Sequence, residues 1–355
     1  MKISKFLLNI FLLSVLFVSC NNDEPQLPKG DYENGILVSG EGSGAGYGSV
    51  YFYSNDFLTT ESQIFKKVNN SDLGTFLQSL AFDDTRTFIV VDNQNTITVA
   101  DRYTFEKLGV ITTGLVLPRY MTIYNGVGYV TNWGNASDDS DDFIAVVDLN
   151  TYEVINTIPV GNGPERIIAE NGKLYVSHKG AWSTNNIVSV ITIATDAVME
   201  ITVNDNPDEL FIDNAGNLVV LCEGLTLSYN ADWTPNEKTP VSITKINTNS
   251  NEISAELTFG GGQYPSNLTY DGNDYYYNLG SKIYSINDSS TTLSVSELID
   301  TAAGNLYEIA VKDGNLYALD ASYTAESNLN IYSLTSKTMI HTFKAPIGAS
   351  KIYFN

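Results

Sequence analysis

Pro164-Glu165-Arg166-Ile167-Ile168-Ala169-Glu170-Asn171-Gly172-Lys173-Leu174-Tyr175-Val176 is the stretch on which the fold of this chain turns. A Pro opens it and a short apolar strand follows. Asn-Gly then makes a tight turn into a second strand rich in β-branched and aromatic residues, the pattern of an antiparallel hairpin. The same unit recurs from Pro118 to Val130, Pro207 to Val220, Pro265 to Tyr277 and Leu306 to Leu319, and without the Pro from Leu77 to Val91 and from Ala349 to the C-terminus. The anchors stand roughly 45 residues apart, which is a propeller-blade period. A β-sandwich has no reason to keep seven anchors aligned.

Each unit continues in the same way. Phe143 to Asp148, a turn at Asn150-Thr151, and Val154 to Val160 supply two further strands, so strands a, b, c and d are expected per unit. The last unit ends after one strand, Lys351 to Asn355, and its missing partners stand at the other end of the chain. Asn34 to Ser39 matches strand b, Ser49 to Ser54 matches c, and Gln63 to Val68 matches d. The expectation is an all-β, seven-bladed β-propeller over residues 34–355, one blade closed by N- and C-terminal strands so that no sheet edge stays open.

Composition agrees. The chain has 355 residues, 43% hydrophobic and 17% charged, with 22 Tyr, 15 Phe and 27 Gly. That suits short strands and turns. A formal charge of −22 repels polyanions, so no nucleic acid is expected as a partner. Two His and two Cys leave little for zinc clusters or disulfides.

Residues 1–19 read as a signal peptide: Lys2 and Lys5 precede the apolar run Phe6 to Val18, too short to span a bilayer. Phe17-Val18-Ser19-Cys20 resembles the lipobox of bacterial lipoproteins, with Phe17 in place of the usual Leu, which implies cleavage and lipidation at Cys20. Removal of Lys2 and Lys5 leaves 17 basic against 41 acidic side chains, or −24. Residues 20–33 are polar, carry Pro25 and Pro28, and read as a flexible tether. Asp23 and Glu24 resemble the acidic export signal of Bacteroides-type lipoproteins, which implies the cell-surface face of the outer membrane. Cys222 has no partner thiol and reads as a small buried hydrophobe.

Asn132-Trp133-Gly134, Asn171 to Val176 and Tyr264-Pro265-Ser266-Asn267-Leu268 resemble the YncE-like propeller lipoproteins of Bacteroidetes, a likeness that runs over residues 34–355. Within that group the chain looks most like the surface cobalamin-binding lipoproteins. The resemblance implies a lipid-anchored, non-enzymatic protein that binds cobalamin (vitamin B12) on one face and passes it to a TonB-dependent outer-membrane transporter, with no cofactor of its own and membrane contact through the lipid alone.

In a four-stranded blade the d-to-a and b-to-c loops share one face around the channel mouth. Three consecutive b-to-c loops are long, at residues 132–142, 177–186 and 223–240, and they hold Trp133, Trp182 and Trp233, all the tryptophans of the chain. A rigid aromatic lip for a ligand is one reading, and private packing of each loop is the other. The start of strand a places Tyr120, Arg166, Glu209, Asn267, Tyr307 and Glu308 at the same mouth, with Tyr264 just before its anchor. The end of strand b adds Asn132, His178 and Asn278. A hydrated propeller channel explains a polar ring equally well. His178 reads as a satisfied surface histidine, a cobalt ligand being the alternative. Asp138 to Asp142 reads as a solvated loop, since it lacks calcium-loop spacing, and no metal is expected there.

No nucleophile elbow, metalloprotease or phosphate-loop motif is present, so catalysis is not expected. Anionic catecholate siderophores fit a −24 surface poorly. Cobalamin, or a neutral or cationic siderophore, fits Trp, Tyr, Asn and a few mixed charges. A protein-interaction scaffold is the third class, and it calls for an apolar patch without a concave site.

Overall fold

Asn125-Gly126, Asn171-Gly172 and Asp313-Gly314 each place two successive residues at positive φ, between 49° and 78°. This is the two-residue turn whose twist matches paired strands, and it fixes the hairpins read from sequence. In the computed structural model, which describes residues 28–355 apart from 45, 136–137 and 295, the hairpins extend into seven four-stranded antiparallel sheets. The signal peptide, Cys20 and the tether up to residue 27 lie outside the described residues.

Blade I begins at Leu77–Phe82, blade II at Pro118–Tyr124, blade III at Pro164–Glu170, blade IV at Pro207–Ile212, blade V at Leu268–Asp271 and blade VI at Leu306–Lys312. Each of these is strand a, the inner edge of its sheet, and strands a of blades I to III pack against one another in turn. Blade VII is the shared one. Its strand a is Ala349–Phe354, its strand b Gly35–Gly40 and its strand c Ser49–Ser54, with Ile36 opposite Phe354 and Val38 opposite Ile352.

Strand d of blade VII is only Thr60–Glu61, and the segment Gln63 to Val68, expected to be that strand, forms the helix Ile64–Asn69 instead. The reason is periodicity. Ile64, Phe65 and Val68 sit at i, i+1 and i+4, which makes one helical face, and Ile64 and Phe65 bury it beside Leu73 and Phe105.

Apolar residues of adjacent blades interdigitate. Tyr175, Val188 and Val190 of blade III meet Leu210, Leu218 and Val220 of blade IV, with Cys222 wholly buried among them and its thiol pushed up to about 12 by burial. Strand a carries a second device. Its register against strand b slips between Leu77 and Ser79, Pro118 and Met121, Pro164 and Ile167, Pro207 and Leu210, and Leu306 and Glu308. Such a bulge breaks the alternation of faces and re-aims the residues within it. Those residues are the polar pairs Arg119-Tyr120, Glu165-Arg166 and Asp208-Glu209 in blades II to IV, and the single residues Gln78 and Tyr307 in blades I and VI.

Candidate functional site

Because strand a bulges just after its anchor, consecutive side chains that a regular strand would send to opposite faces both reach the channel mouth. Tyr120, Arg166, Glu209 and Tyr307 arrive there in this way, and Asn267 joins them from the start of blade V. They line a cavity of about 580 Å³, within the range of small-molecule sites.

A network of ion pairs ties the mouth together across blades. Arg119 makes a two-pronged contact with Glu165, at 3.1 and 2.9 Å, and also meets Asp92. Arg166 reaches Asp208 at 2.8 Å and also Glu209, while Lys179 meets Asp208 at 2.7 Å and Glu223 at 3.1 Å. Lys351 pairs with Glu308 at 2.6 Å and Glu209 at 3.4 Å. Since Glu209 belongs to blade IV and Lys351 to blade VII, that last contact crosses the channel. Glu308 is part of this network through Lys351, though it is not among the residues that line the cavity.

Carboxylates outnumber cations here, and burial shows in their ionisation. Burial pushes the Glu308 carboxyl up to about 7 despite Lys351, and raises Glu223 and Asp92 despite Lys179 and Arg119. Asp208 goes the other way: burial opposes its charge, but Lys179, Arg166 and Lys351 together hold it well below the usual carboxylate range.

Aromatic rings stand on the cations. The Arg119 guanidinium lies 3.8 Å from the Trp133 ring centre and the Arg166 guanidinium 4.9 Å from that of Tyr120. Trp133 also donates its indole N–H to the Pro164 carbonyl at 3.0 Å, so it both lines the cavity and packs its loop onto blade III. Trp182 meets Trp133 edge to face at 6.1 Å and is 73% exposed, a bare indole at the rim. Neither Trp182 nor Trp233 is among the residues that line the cavity. The long loop of blade IV folds into an unforeseen hairpin of Thr226–Tyr229 and Pro235–Lys238, and Trp233 sits at its tip against Tyr229, 6.1 Å away.

The remaining candidates are structural in their contacts. Asn132 is buried, accepts the Val116 N–H at 2.9 Å and donates to the Val130 carbonyl. Asn278 accepts the N–H groups of Ser266 and Asn267 at 3.0 and 2.9 Å, substituting for ladder bonds that blade V lacks there. Tyr264 donates to the Asn236 carbonyl of the hairpin at 3.3 Å, beneath Lys238.

His178 is not a surface histidine. It is wholly buried, its Nδ1 lies 3.2 Å from the Asn162 carbonyl, and its Nε2 has no partner among the described residues. Burial drives its pKa down to about 4, so it is neutral. Alternation turned the residue read from sequence inward and left its neighbour Lys179 at the mouth. The acidic loop also needs correction at one position. Asp138 and Asp141 cap their own loop, but Asp142 is buried, accepts the Gly163 N–H and is pushed up to about 6 by burial. Among the described residues no group of three or more His, Cys, Asp or Glu could hold a metal.

Sequence reading passed over Glu41 and Lys179. Each follows the last residue of a strand b, Gly40 and His178, so looking one residue beyond each strand end would have found them.

The fold and mouth together define a seven-bladed β-propeller with a polar, concave mouth. The chain belongs to the family described as Domain of unknown function (DUF5074), whose model matches residues 34–227. No curated protein matches it in sequence. Among solved structures it is similar to dihydro-heme d1 dehydrogenase NirN in complex with DHE, with a TM-score of 0.58 and 11% identity over 93% of this chain and 77% of that one. It is also similar to the computationally designed Ika8 protein, with a TM-score of 0.56 and 11% identity over 92% and 98%. Apo AztD from Citrobacter koseri gives 0.53 and 10% identity over 90% and 96%. At such identities these likenesses speak to the propeller fold alone.

Proposed function

We propose that the chain captures a bulky, polar ligand at the propeller mouth and holds it without chemical change. One observation carries this reading: a cavity of about 580 Å³ walled by buried, mutually paired charges is lined by Trp133, against which the exposed Trp182 ring packs edge to face. Paired charges of this kind are preorganised for recognition. Each is already satisfied, and none is arranged as a nucleophile with its base. A concave site also distinguishes the mouth from the flat apolar patch of a scaffold.

The family resemblance suggests a corrinoid, presented by a protein lipidated at Cys20 on the outer surface and passed to a TonB-dependent transporter. A corrinoid is larger than the cavity, so one edge of it would enter while the rest lay against Trp182 and the neighbouring loops. Amide and ring surfaces suit this mixture of Trp, Tyr and ion-paired side chains.

Native mass spectrometry of the protein after incubation with cyanocobalamin, ferrioxamine and a ferric catecholate tests the reading. A one-to-one adduct with cyanocobalamin and none with the catecholate is expected. A ferrioxamine adduct alone would transfer the assignment to a cationic or neutral siderophore, and no adduct with any of them would count against capture of such ligands.

A further inference from the structure

Glu41 differs from every other carboxylate of the mouth. It follows strand b of blade VII and lines the cavity, yet it has no ion pair among the described residues. Its two oxygens accept hydroxyl hydrogen bonds, from Tyr307 at 3.0 Å and from Tyr323 at 3.4 Å. Those rings meet edge to face at 6.3 Å and are each more than a third exposed. The backbone brings the group close. Glu41 donates its N–H to the Gly348 carbonyl at 2.9 Å, and Gly348, at φ 61°, is where a side chain would meet the Tyr323 ring at 3.0 Å.

Two residues beyond Gly348 stands Ser350, 2% exposed and also lining the cavity, whose hydroxyl has no hydrogen-bond partner among the described residues. A buried hydroxyl left unpaired is costly, and its presence in a cavity wall points to a partner supplied from the cavity. Burial raises the Glu41 carboxyl, against the pull of the tyrosine hydroxyls and of Arg119 and Lys351, as expected of a carboxylate lacking a contacting cation.

We propose that Glu41, Tyr307, Tyr323 and Ser350 form a subsite for a protonated primary amine carried by the ligand. The carboxylate supplies the counter-charge, the Ser350 hydroxyl accepts an ammonium hydrogen, and the tyrosine rings flank the cation. The rest of the ligand then lies toward Trp133 and Trp182. This deepens the capture reading and rests on it, because the subsite is one wall of the same cavity; a cationic siderophore with a terminal amine fills it, whereas a corrinoid, whose side chains are neutral amides, occupies the mouth and leaves it unfilled.

Benzylamine and benzyl alcohol, nearly equal in shape and differing in charge at neutral pH, probe the subsite on the full chain by ligand-observed NMR titration, with the parent and with Glu41→Gln. The parent should prefer the amine about tenfold, and Glu41→Gln, which keeps the size and a carbonyl acceptor for the tyrosines, should abolish the preference. Ser350→Ala should weaken amine binding and leave the alcohol unchanged. Equal binding of the two probes, binding of neither, or a preference that survives in Glu41→Gln overturns the subsite. If a corrinoid or siderophore adduct forms in the mouth while the amine preference is absent, the subsite falls and capture stands. If neither probe nor any of those ligands binds, both fall.

Discussion

His178 shows how one side chain sets a pH response. Its folded value of about 4 lies below the roughly 6.5 of an unfolded chain, so the unfolded state binds the extra proton first on acidification. The stability it contributes is complete above about 6.5 and is lost as pH falls toward about 4. Asp142 acts with the opposite sign: its folded value of about 6 lies above the ordinary carboxylate range, so its contribution is present at low pH and is lost as pH rises through about 6. A comparison with His178→Gln isolates the histidine. In urea unfolding, the advantage of the parent over that variant should shrink by on the order of 2 to 3 kcal/mol between pH 7.5 and pH 4.5. A constant difference would mean that His178 is not a buried neutral base. The sequence showed His178 at the end of a strand, but only the side-chain alternation of that strand decides whether residue 178 or 179 faces the mouth. A one-residue uncertainty in register exchanges the two.

At the scale of elements, the bulge in strand a is the decisive feature. It converts the polar pairs Arg119-Tyr120, Glu165-Arg166 and Asp208-Glu209 into a continuous mouth, and those pairs were legible because two polar residues in succession interrupt an otherwise apolar strand. The Asn-Gly hairpins and the terminal closure were legible for the same kind of reason, local turn chemistry and a fixed period. The helix Ile64–Asn69 and the hairpin ending at Trp233 were not, because each replaces or interrupts the repeat with a local pattern of its own.

Closure makes a quantitative expectation possible. Deleting Lys351 to Asn355 removes the pairing of Ile352 and Phe354 with strand b, frees Glu308 of its cation, and breaks the Asn355 bonds to Tyr32 and Arg102. Loss of buried apolar side chains and of one partner in a buried ion pair should together cost on the order of 5 kcal/mol. Chemical denaturation of the truncated chain measures it, and an unchanged midpoint would contradict closure of the ring by these strands.

Over the whole molecule, the ion pairs link blades I through IV in sequence and reach across the channel from IV to VII and VI. The ring therefore presents a rigid polar basin, with Trp182 standing free at its edge. Long loops in the middle blades drew attention to this face in the sequence, but of their three tryptophans only Trp133 lines the cavity, while Trp233 packs against Tyr229 of its own loop. The partners of the charged groups were not readable there, because each pair joins residues between 27 and 142 positions apart. Calorimetry on the parent and on Trp182→Ala, with whichever panel ligand forms the one-to-one adduct, tests capture at the mouth most directly. Trp182 is mostly exposed and its truncation should leave the fold intact. The account predicts a loss of about thirtyfold in affinity, the scale of an aromatic anchor covered by ligand, with unchanged unfolding. Equal affinity in a folded Trp182→Ala protein would place the ligand elsewhere on the propeller.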